Sequence, residues 1–414
     1  MKEYRQFVDE LNRLINGYSK TAESNWKKDA AKYVNGLASE RLRNLVPLSN
    51  RRACGAFFTM DELASRVLQA HQLKFEKKAI FYDPACGAGN LLIAVRNYYA
   101  ASSKKLNIQV RGTDIHEEFI NATNLRLRIW ELYERGKVVD YSSNVAVCDG
   151  MKDNTFYQLA THVVVNPPFN QMDSPVNLQW ASGKVSAAAV FVDAIIENIR
   201  PGTQIVAILP DVLRSGSRYH KWREHISAAC TIDTVNLLGQ FDKHADVDVF
   251  SILLTKKKSG SPADLSKWNN AVTAQTVISD LFNVTVGPVV DNRDLHTGVL
   301  RPYIVSKGLQ NWIEIGDRLQ TRQHSGKAIE SPFVVIKRTS RHGDGHRALG
   351  TLINIPEPVY VDNHLIILKP LSGLLQDCQQ LLDVLQRQST NQWIDEQIRC
   401  RHLTVNVIKN IPVI

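Results

Sequence analysis

At 414 residues, 44% of them hydrophobic, the chain exceeds one ordinary domain and has apolar surface enough for a sizeable core. A formal net charge of +9, with a pI near 9.2, favours a polyanionic partner, since every phosphate met by Lys or Arg releases condensed counterions; it does not separate DNA from RNA. Six cysteines, at positions 54, 86, 148, 230, 378 and 400, lack metal-ligand or disulfide-framework spacing, residues 1–20 lack a signal-peptide core, and no run of about eighteen apolar residues occurs. Neither a disulfide scaffold nor a membrane span is therefore expected, whereas a soluble protein of the reducing cytoplasm is.

Residues 1–50 are charged and helical in pattern, with Phe7, Leu11, Leu14 and Ile15 on one stripe, which predicts a helical segment packed against the central domain. Gly55-Ala56-Phe57-Phe58-Thr59 precedes a helix signal over Asp61–Leu68; such an aromatic pair is most often core. The apolar run Ala79–Tyr82 reads as a strand. Asp83-Pro84-Ala85-Cys86-Gly87-Ala88-Gly89-Asn90 comes next, and then Leu91, Ala94, Val95 and Tyr98 fall at helical spacing. This is strand, glycine turn, helix: glycines let backbone approach a ligand, and a helix start offers free N–H groups. The third glycine of the dinucleotide fingerprint is missing. Ile108–Gly112 is a second strand with Asp114 just after it, where an acidic side chain can take both hydroxyls of a ribose; Val145–Cys148 is a third, ending at Asp149. One such aspartate is an ordinary cap, but three at successive strand ends point to a site.

In His162–Asn170, reading HVVVNPPFN, three valines fit a fully buried strand and two prolines stop it, holding Asn166 and Phe169 on a stiff turn. The carboxyl ends of strands are where open α/β sheets place ligands. The Asn166 side-chain oxygen and the Pro167 carbonyl can accept both hydrogens of a planar exocyclic amine, with Phe169 stacked on its ring. Ile205–Leu209, Thr234–Leu238 and Val249–Thr255 continue the series to seven strands, giving a doubly wound, mostly parallel α/β sheet. Ser259–Ala263 reads as a linker, so the expected divisions are 1–50, 51–258 and 259–414.

DPACGAGN followed about eighty positions later by NPPF resembles the cofactor and catalytic motifs of amino-group methyltransferases that use S-adenosylmethionine, especially DNA adenine-N6 methyltransferases. The resemblance implies the seven-stranded methyltransferase fold with an antiparallel edge pair. It implies that Asp114 holds the ribose and Asp149 the adenine amine, and that Asp83, Ala85 and the backbone of Gly87 to Gly89 line the methionine end. Phe57 and Thr59 complete the pocket, although Met60 stands where the family has proline. Asn166, Pro167, Pro168 and Phe169 form the catalytic motif, Asn166 also borders the cofactor, and Phe191 is a second candidate for the target-base pocket. No metal is required.

After residue 258 the stretches Val286–Arg293, Pro332–Arg338 and Asp362–Leu365 look like the target-recognition region of type II modification enzymes, here a smaller mixed α+β domain. Cofactor pocket, DPACGAG, NPPF and recognition region come in the gamma-class order. Within the dense basic loop, Lys337, Arg338, Arg341 and Arg347 are the candidates for contacting DNA. The implied reaction is methylation of N6 of a flipped-out adenine in double-stranded DNA, leaving S-adenosylhomocysteine. The implied setting is a monomer in a restriction-modification system, with a cognate endonuclease as possible partner. The same motif serves RNA guanine amines and protein glutamine amides; cytosine-N4 enzymes more often have serine in place of asparagine; a non-catalytic DNA-binding specificity subunit on this fold is a further alternative. No acidic nuclease constellation is found.

Overall fold

The computed structural model describes residues 2–19, 23–35, 41, 44–45, 59–73, 77–100, 106–134, 140–152, 155–242, 245–268, 276–317 and 319–413. Two compact units result, Met1–Arg214 with Arg218–Trp268, and Ser215–Ser217 with Asn269–Ile414.

In the first unit the strands are β1 (Lys78–Asp83), β2 (Asn107–Asp114), β3 (Asp140–Val147), β4 (His162–Val165), the short pair β5 (Gln171–Asp173) and β6 (Lys184–Ser186), then β7 (Gln204–Pro210), β8 (Cys230–Asp242) and β9 (Ala245–Lys256). The main sheet has the order β3-β2-β1-β4-β7-β9-β8, with β9 antiparallel to both β7 and β8 and the other neighbours parallel. This is the strand order, with its antiparallel edge pair, that the resemblance implies. Every residue of β4 is buried, as a central parallel strand covered on both faces requires. β8 extends well beyond Thr234–Leu238 because it pairs with β9 along its length, with register shifts near Thr234 and Gly239 that no apolar pattern marks.

Helices α1 (Lys2–Gly17), α2 (Glu23–Ala31), α3 (Asp61–His71), α4 (Asn90–Ala100), α5 (Glu117–Tyr133), α6 (Ala187–Asn198) and α7 (His220–Ala229) flank the sheet. The stripe on α1 is real: Tyr4, Phe7 and Leu11 are buried in the same core as α5, with the Tyr4 ring 5.5 Å from that of Phe119. α3 is fixed to the antiparallel edge through His71, whose ring nitrogens lie 2.6 Å from Thr234 Oγ1 and 2.8 Å from Ser251 Oγ; burial pushes its pKa down to about 4. The unit runs on through Trp268, whose buried ring donates to Ser227 Oγ at 2.8 Å, so residues 259–263 belong to this unit and do not mark its boundary.

Parallel register places the ends of β1, β2 and β3 side by side: Asp83 pairs with Gly112, and Asp114 with Val147. The sheet order reverses direction between β1 and β4, the switch point at which such sheets open a crevice.

The second unit is mixed α+β. Strands β10 (Phe282–Val286), β11 (Val299–Ile304), β12 (Glu314–Ile315), β13 (Gln320–His324), β14 (Phe333–Lys337), β15 (Gly350–Ile353), β16 (Tyr360–Val361) and β17 (Leu365–Pro370) form sheets β10-β17-β14-β15-β12 and β13-β11-β16. Period-two alternation divides β14: Val334 and Ile336 face helices α8 (Leu375–Gln386), α9 (Gln388–Gln397) and α10 (Val405–Lys409), whereas Phe333 and Val335 join the opposite core. The stretches around Val286–Arg293, Pro332–Arg338 and Asp362–Leu365 meet: Gly287 N donates to Leu365 O at 2.9 Å, Asn363 N to Val289 O at 2.8 Å, and Arg338 N to His364 O at 3.0 Å. A Cβ on Gly287 would stand 2.0 Å from the Asp362 carbonyl oxygen, which explains the glycine. No helix among the described residues is long and apolar enough to cross a membrane.

Candidate active site

A cleft of about 880 Å³, part of it open to solvent, lies at the carboxyl ends of β1 to β4. The turn after β1 forms its floor. Gly87 and Gly89 take φ of 51° and 81°, the left-handed region that glycine alone enters without penalty. A side chain at Gly89 would also stand 2.8 Å from Thr123 Cγ2. Gly89 N closes the turn on Cys86 O at 2.8 Å, and Thr123 Oγ1 of α5 donates to Gly87 O at 2.8 Å.

Asp114, at the end of β2, accepts Gly87 N on Oδ2 at 3.0 Å and both the backbone N–H and Nδ1 of His116 on Oδ1 at 2.9 Å. That bond raises the His116 pKa. Carboxylate oxygens have two lone pairs each, so Asp114 retains acceptor capacity toward the cleft it lines. Asp149 lines it too, capped by Met151 N at 3.1 Å. The adjacent Gly150 is forced by contact: a Cβ there would lie 1.9 Å from the Pro84 carbonyl oxygen. Asp83 is 2% exposed, and its Oδ1 accepts Ala85 N at 3.0 Å. Burial first, and then the neighbouring Asp114 charge, push its carboxyl up to about 8, so it is mostly neutral at pH 7.

Thr59 joins the two motifs. Its Oγ1 accepts Asn166 Nδ2 at 2.9 Å, and its carbonyl accepts Asn90 Nδ2 at 3.0 Å. Met60 adopts φ −68°, the angle a proline would impose, so the departure from the family pattern leaves the backbone path intact. Behind Asn90, the buried Arg126 of α5 donates through Nη1 to Asn90 Oδ1 at 2.6 Å and Ala88 O at 2.5 Å, and through Nε to Tyr33 O at 2.9 Å. Burial lowers its pKa to about 10, which leaves it charged at neutral pH.

Thr59, Asp83, Ala85, Gly87, Asp114, Asp149, Asn166, Pro168 and Phe191 thus share one cleft. Gly89, Pro167 and Phe169 lie outside its lining; Phe169 is half-buried, with its ring 5.3 Å from Phe241 and edge-on to it. Phe57 lies outside the described residues. Asn90, Ile115, His116, Phe119, Gly150 and Met151 line the cleft without having been singled out. Of these, Ile115 carried a signal, being an isoleucine directly after the acidic strand end; it is 65% exposed at the cleft.

The basic loop needs a correction. Arg347 is 0% exposed and its guanidinium is consumed internally: it bonds Asp395 at 2.5 Å, Ser340 Oγ at 2.9 Å, and the carbonyls of Ile398 and Cys400 at 3.0 and 2.8 Å. It is an internal strut and reaches no phosphate. Lys337 Nζ and Arg338 Nη1 are bonded to the carbonyls of Leu309 and Asn363 at 2.7 and 2.9 Å and are half-buried, whereas Arg341 is exposed.

Sheet order, glycine turn and acidic strand ends define the methyltransferase class. Residues 42–280, more than half of the chain, match the family described as N-6 DNA Methylase, and the chain belongs to that family. The methylase subunit of the type I restriction enzyme StySPI from Salmonella potsdam is 22% identical over 197 residues, 45% of this chain. The match covers only 37% of that relative's length. Among solved structures, the type IIG restriction endonuclease BpuSI aligns with 85% of this chain and 57% of its own at 13% identity and TM-score 0.44. The methyltransferase subunit of a type I restriction-modification system from Streptococcus thermophilus aligns with 53% of this chain and 52% of its own, at 16% identity and TM-score 0.37.

Proposed function

We propose that this chain transfers a methyl group from S-adenosylmethionine to the N6 amine of an adenine in double-stranded DNA, as a gamma-class modification enzyme of a restriction-modification system. One observation carries the reading: the glycine turn with its aspartates and the Asn166 turn open into a single cleft and are tied together through Thr59.

The residues fit a nucleoside bearing an amino acid. The positive-φ Gly87 gives close backbone approach at one end, with Asp83 beside it, and the carboxylates of Asp114 and Asp149 supply acceptors for ribose hydroxyls and an adenine amine at the other. When bound, the cofactor supplies an electrophilic methyl on its sulfonium. Asn166 and the Pro167 carbonyl accept the substrate amine's hydrogens, which draws its lone pair out of the ring, and the proline turn holds it in line. Phe191 walls the pocket, and Phe169, whose ring packs edge-on against Phe241 outside the cleft lining, turns toward the base to stack on it. An adenine inside a duplex must be flipped out, costing a few kcal/mol that stacking and pocket contacts offset. The second unit, residues 269–414, supplies target recognition; the protein acts as a monomer alongside a cognate endonuclease.

Two results are expected. Arg341→Ala weakens DNA binding and makes its salt dependence shallower by about one charge, with stability changed by no more than about 0.5 kcal/mol, as salt-dependent DNA binding and urea denaturation will read. Asp83 holds a proton in the folded state up to about pH 8, whereas unfolded it loses it near 3.9. Its contribution to stability is therefore complete below about pH 4 and is lost as pH rises toward 8. Urea midpoints of the wild type fall across that window relative to those of Asp83→Asn; parallel curves would contradict the assignment.

The reading is tested by incubating the protein with S-adenosylmethionine labelled in its methyl group and equal amounts of unmethylated genomic DNA, total RNA and soluble protein. Label in DNA alone supports it. Label in RNA or protein alone refutes it.

A further inference from the structure

Between the Asn166–Phe169 turn and α6 the chain makes an excursion, residues 170–186. Its base is closed by β5 against β6 and by Ala187 N donating to Asn170 O at 3.0 Å. Three anchors hold it. The Trp180 indole N–H donates to Asp193 Oδ2 on α6. Arg218 Nη2 donates to the carbonyls of Ser182 and Lys184 at 3.1 and 2.5 Å, and the Tyr219 hydroxyl accepts Ser186 N at 3.0 Å.

Asp193 is 8% exposed, and its other oxygen accepts the Trp222 indole N–H of α7 at 3.1 Å. A carboxylate buried between two neutral donors is costly to keep ionised, yet its two oxygens accept from both indoles at once. Two residues earlier on the same helix, Phe191 lines the cleft, and the excursion itself continues directly from the Asn166–Phe169 turn. Asp193 therefore ties the excursion that continues the Asn166–Phe169 turn to the helix that carries Phe191.

We propose that Asp193 is a positioning residue for methyl transfer: its carboxylate clamps the Trp180 excursion to α6 and so sets where the Asn166–Phe169 turn and Phe191 meet the substrate amine. This rests on the methyl-transfer reading of the cleft. The ionised carboxylate is the stronger acceptor on both oxygens; protonation weakens its hold on the indole N–H groups and adds an O–H donor that needs a partner of its own. Burial, reinforced by Glu197 one turn along α6 and opposed by the two indoles, pushes this carboxyl up to about 7. From α7, His225 Nε2 lies 3.9 Å from Oδ1; burial and Lys256 lower the His225 pKa, against Glu197. Arg218 addresses carbonyls of the excursion. The clamp is thus set above pH 7 and loosened below it.

The difference in emission between wild type and Trp180→Phe isolates Trp180. It titrates with a midpoint near pH 7 in wild type, and the same difference taken in the Asp193→Asn background is flat. In steady-state methyl transfer, kcat of Asp193→Asn falls about tenfold and loses its rise between pH 6 and 8, while Kd for S-adenosylhomocysteine stays within about twofold. Trp180→Phe, which keeps an aromatic ring and loses the donor, lowers kcat in the same way. A Trp180 signal that is flat in wild type, or unchanged by Asp193→Asn, overturns the proposal, as does an unaltered kcat and pH profile in both variants. Should wild type transfer no methyl, the methyl-transfer reading fails and with it the catalytic role of Asp193, whereas the fluorescence titration still decides whether the clamp exists.

Discussion

Asn166→Ala is expected to lower kcat for methyl transfer by about 10²- to 10³-fold, the scale on which a single preorganised polar contact to a reacting group acts. The adenine amine is a poor nucleophile because its lone pair is delocalised into the ring, so an acceptor fixed at the amine has its largest effect as the nitrogen becomes tetrahedral. Asn166 is fixed by its place one residue after β4 and by its donation to Thr59 Oγ1 at 2.9 Å. Loss of that bond costs about 1 kcal/mol of stability, far less than the rate effect. Affinity for S-adenosylhomocysteine should stay within about fivefold, because the glycine turn and three aspartates are untouched. Single-turnover kinetics with saturating cofactor separate the two quantities, and a variant retaining more than about a tenth of wild-type kcat would contradict the role.

The second large effect is expected at Arg126→Met. Methionine keeps most of the apolar stem but removes the donors to Ala88 O, Asn90 Oδ1 and Tyr33 O, all from a fully buried side chain. With about 1–3 kcal/mol for each buried acceptor left without a donor, the folded state should lose about 4 kcal/mol. Ala88 and Asn90 belong to the cofactor turn, so affinity for S-adenosylhomocysteine should fall by about tenfold or more. Urea denaturation and calorimetric titration check the two arms. A loss below about 1 kcal/mol would show that the guanidinium bonds are replaceable by water.

The strands and the glycine turn were legible because they are local: a four-residue apolar run with a proline stop, or glycines before a helical stripe, need no knowledge of the rest of the chain. Asp83, Asp114 and Asp149 were legible for the same reason, since the first two close β1 and β2 and the third follows β3 by two residues. What joins these pieces was not. Arg126 sits on a helix with ordinary charge patterning, and the acceptors that draw it inward, Ala88, Asn90 and Tyr33, lie 38, 36 and 93 residues away. Arg347 looks like the rest of its basic loop, yet Asp395 on α9, 48 residues on, draws it into the core. Composition marks neither arginine as buried. Asp193 is hidden likewise: nothing near it in sequence announces that the two tryptophans at 180 and 222 converge on its carboxylate.

The most direct test of the central claim is nucleoside mass spectrometry of unmethylated duplex DNA after incubation with the protein and S-adenosylmethionine carrying a deuterated methyl group. The account predicts deuterated N6-methyladenine with wild type and none with Asn166→Ala. Deuterated methyl on cytosine instead, or DNA left unmodified by a protein that binds S-adenosylhomocysteine, would contradict it.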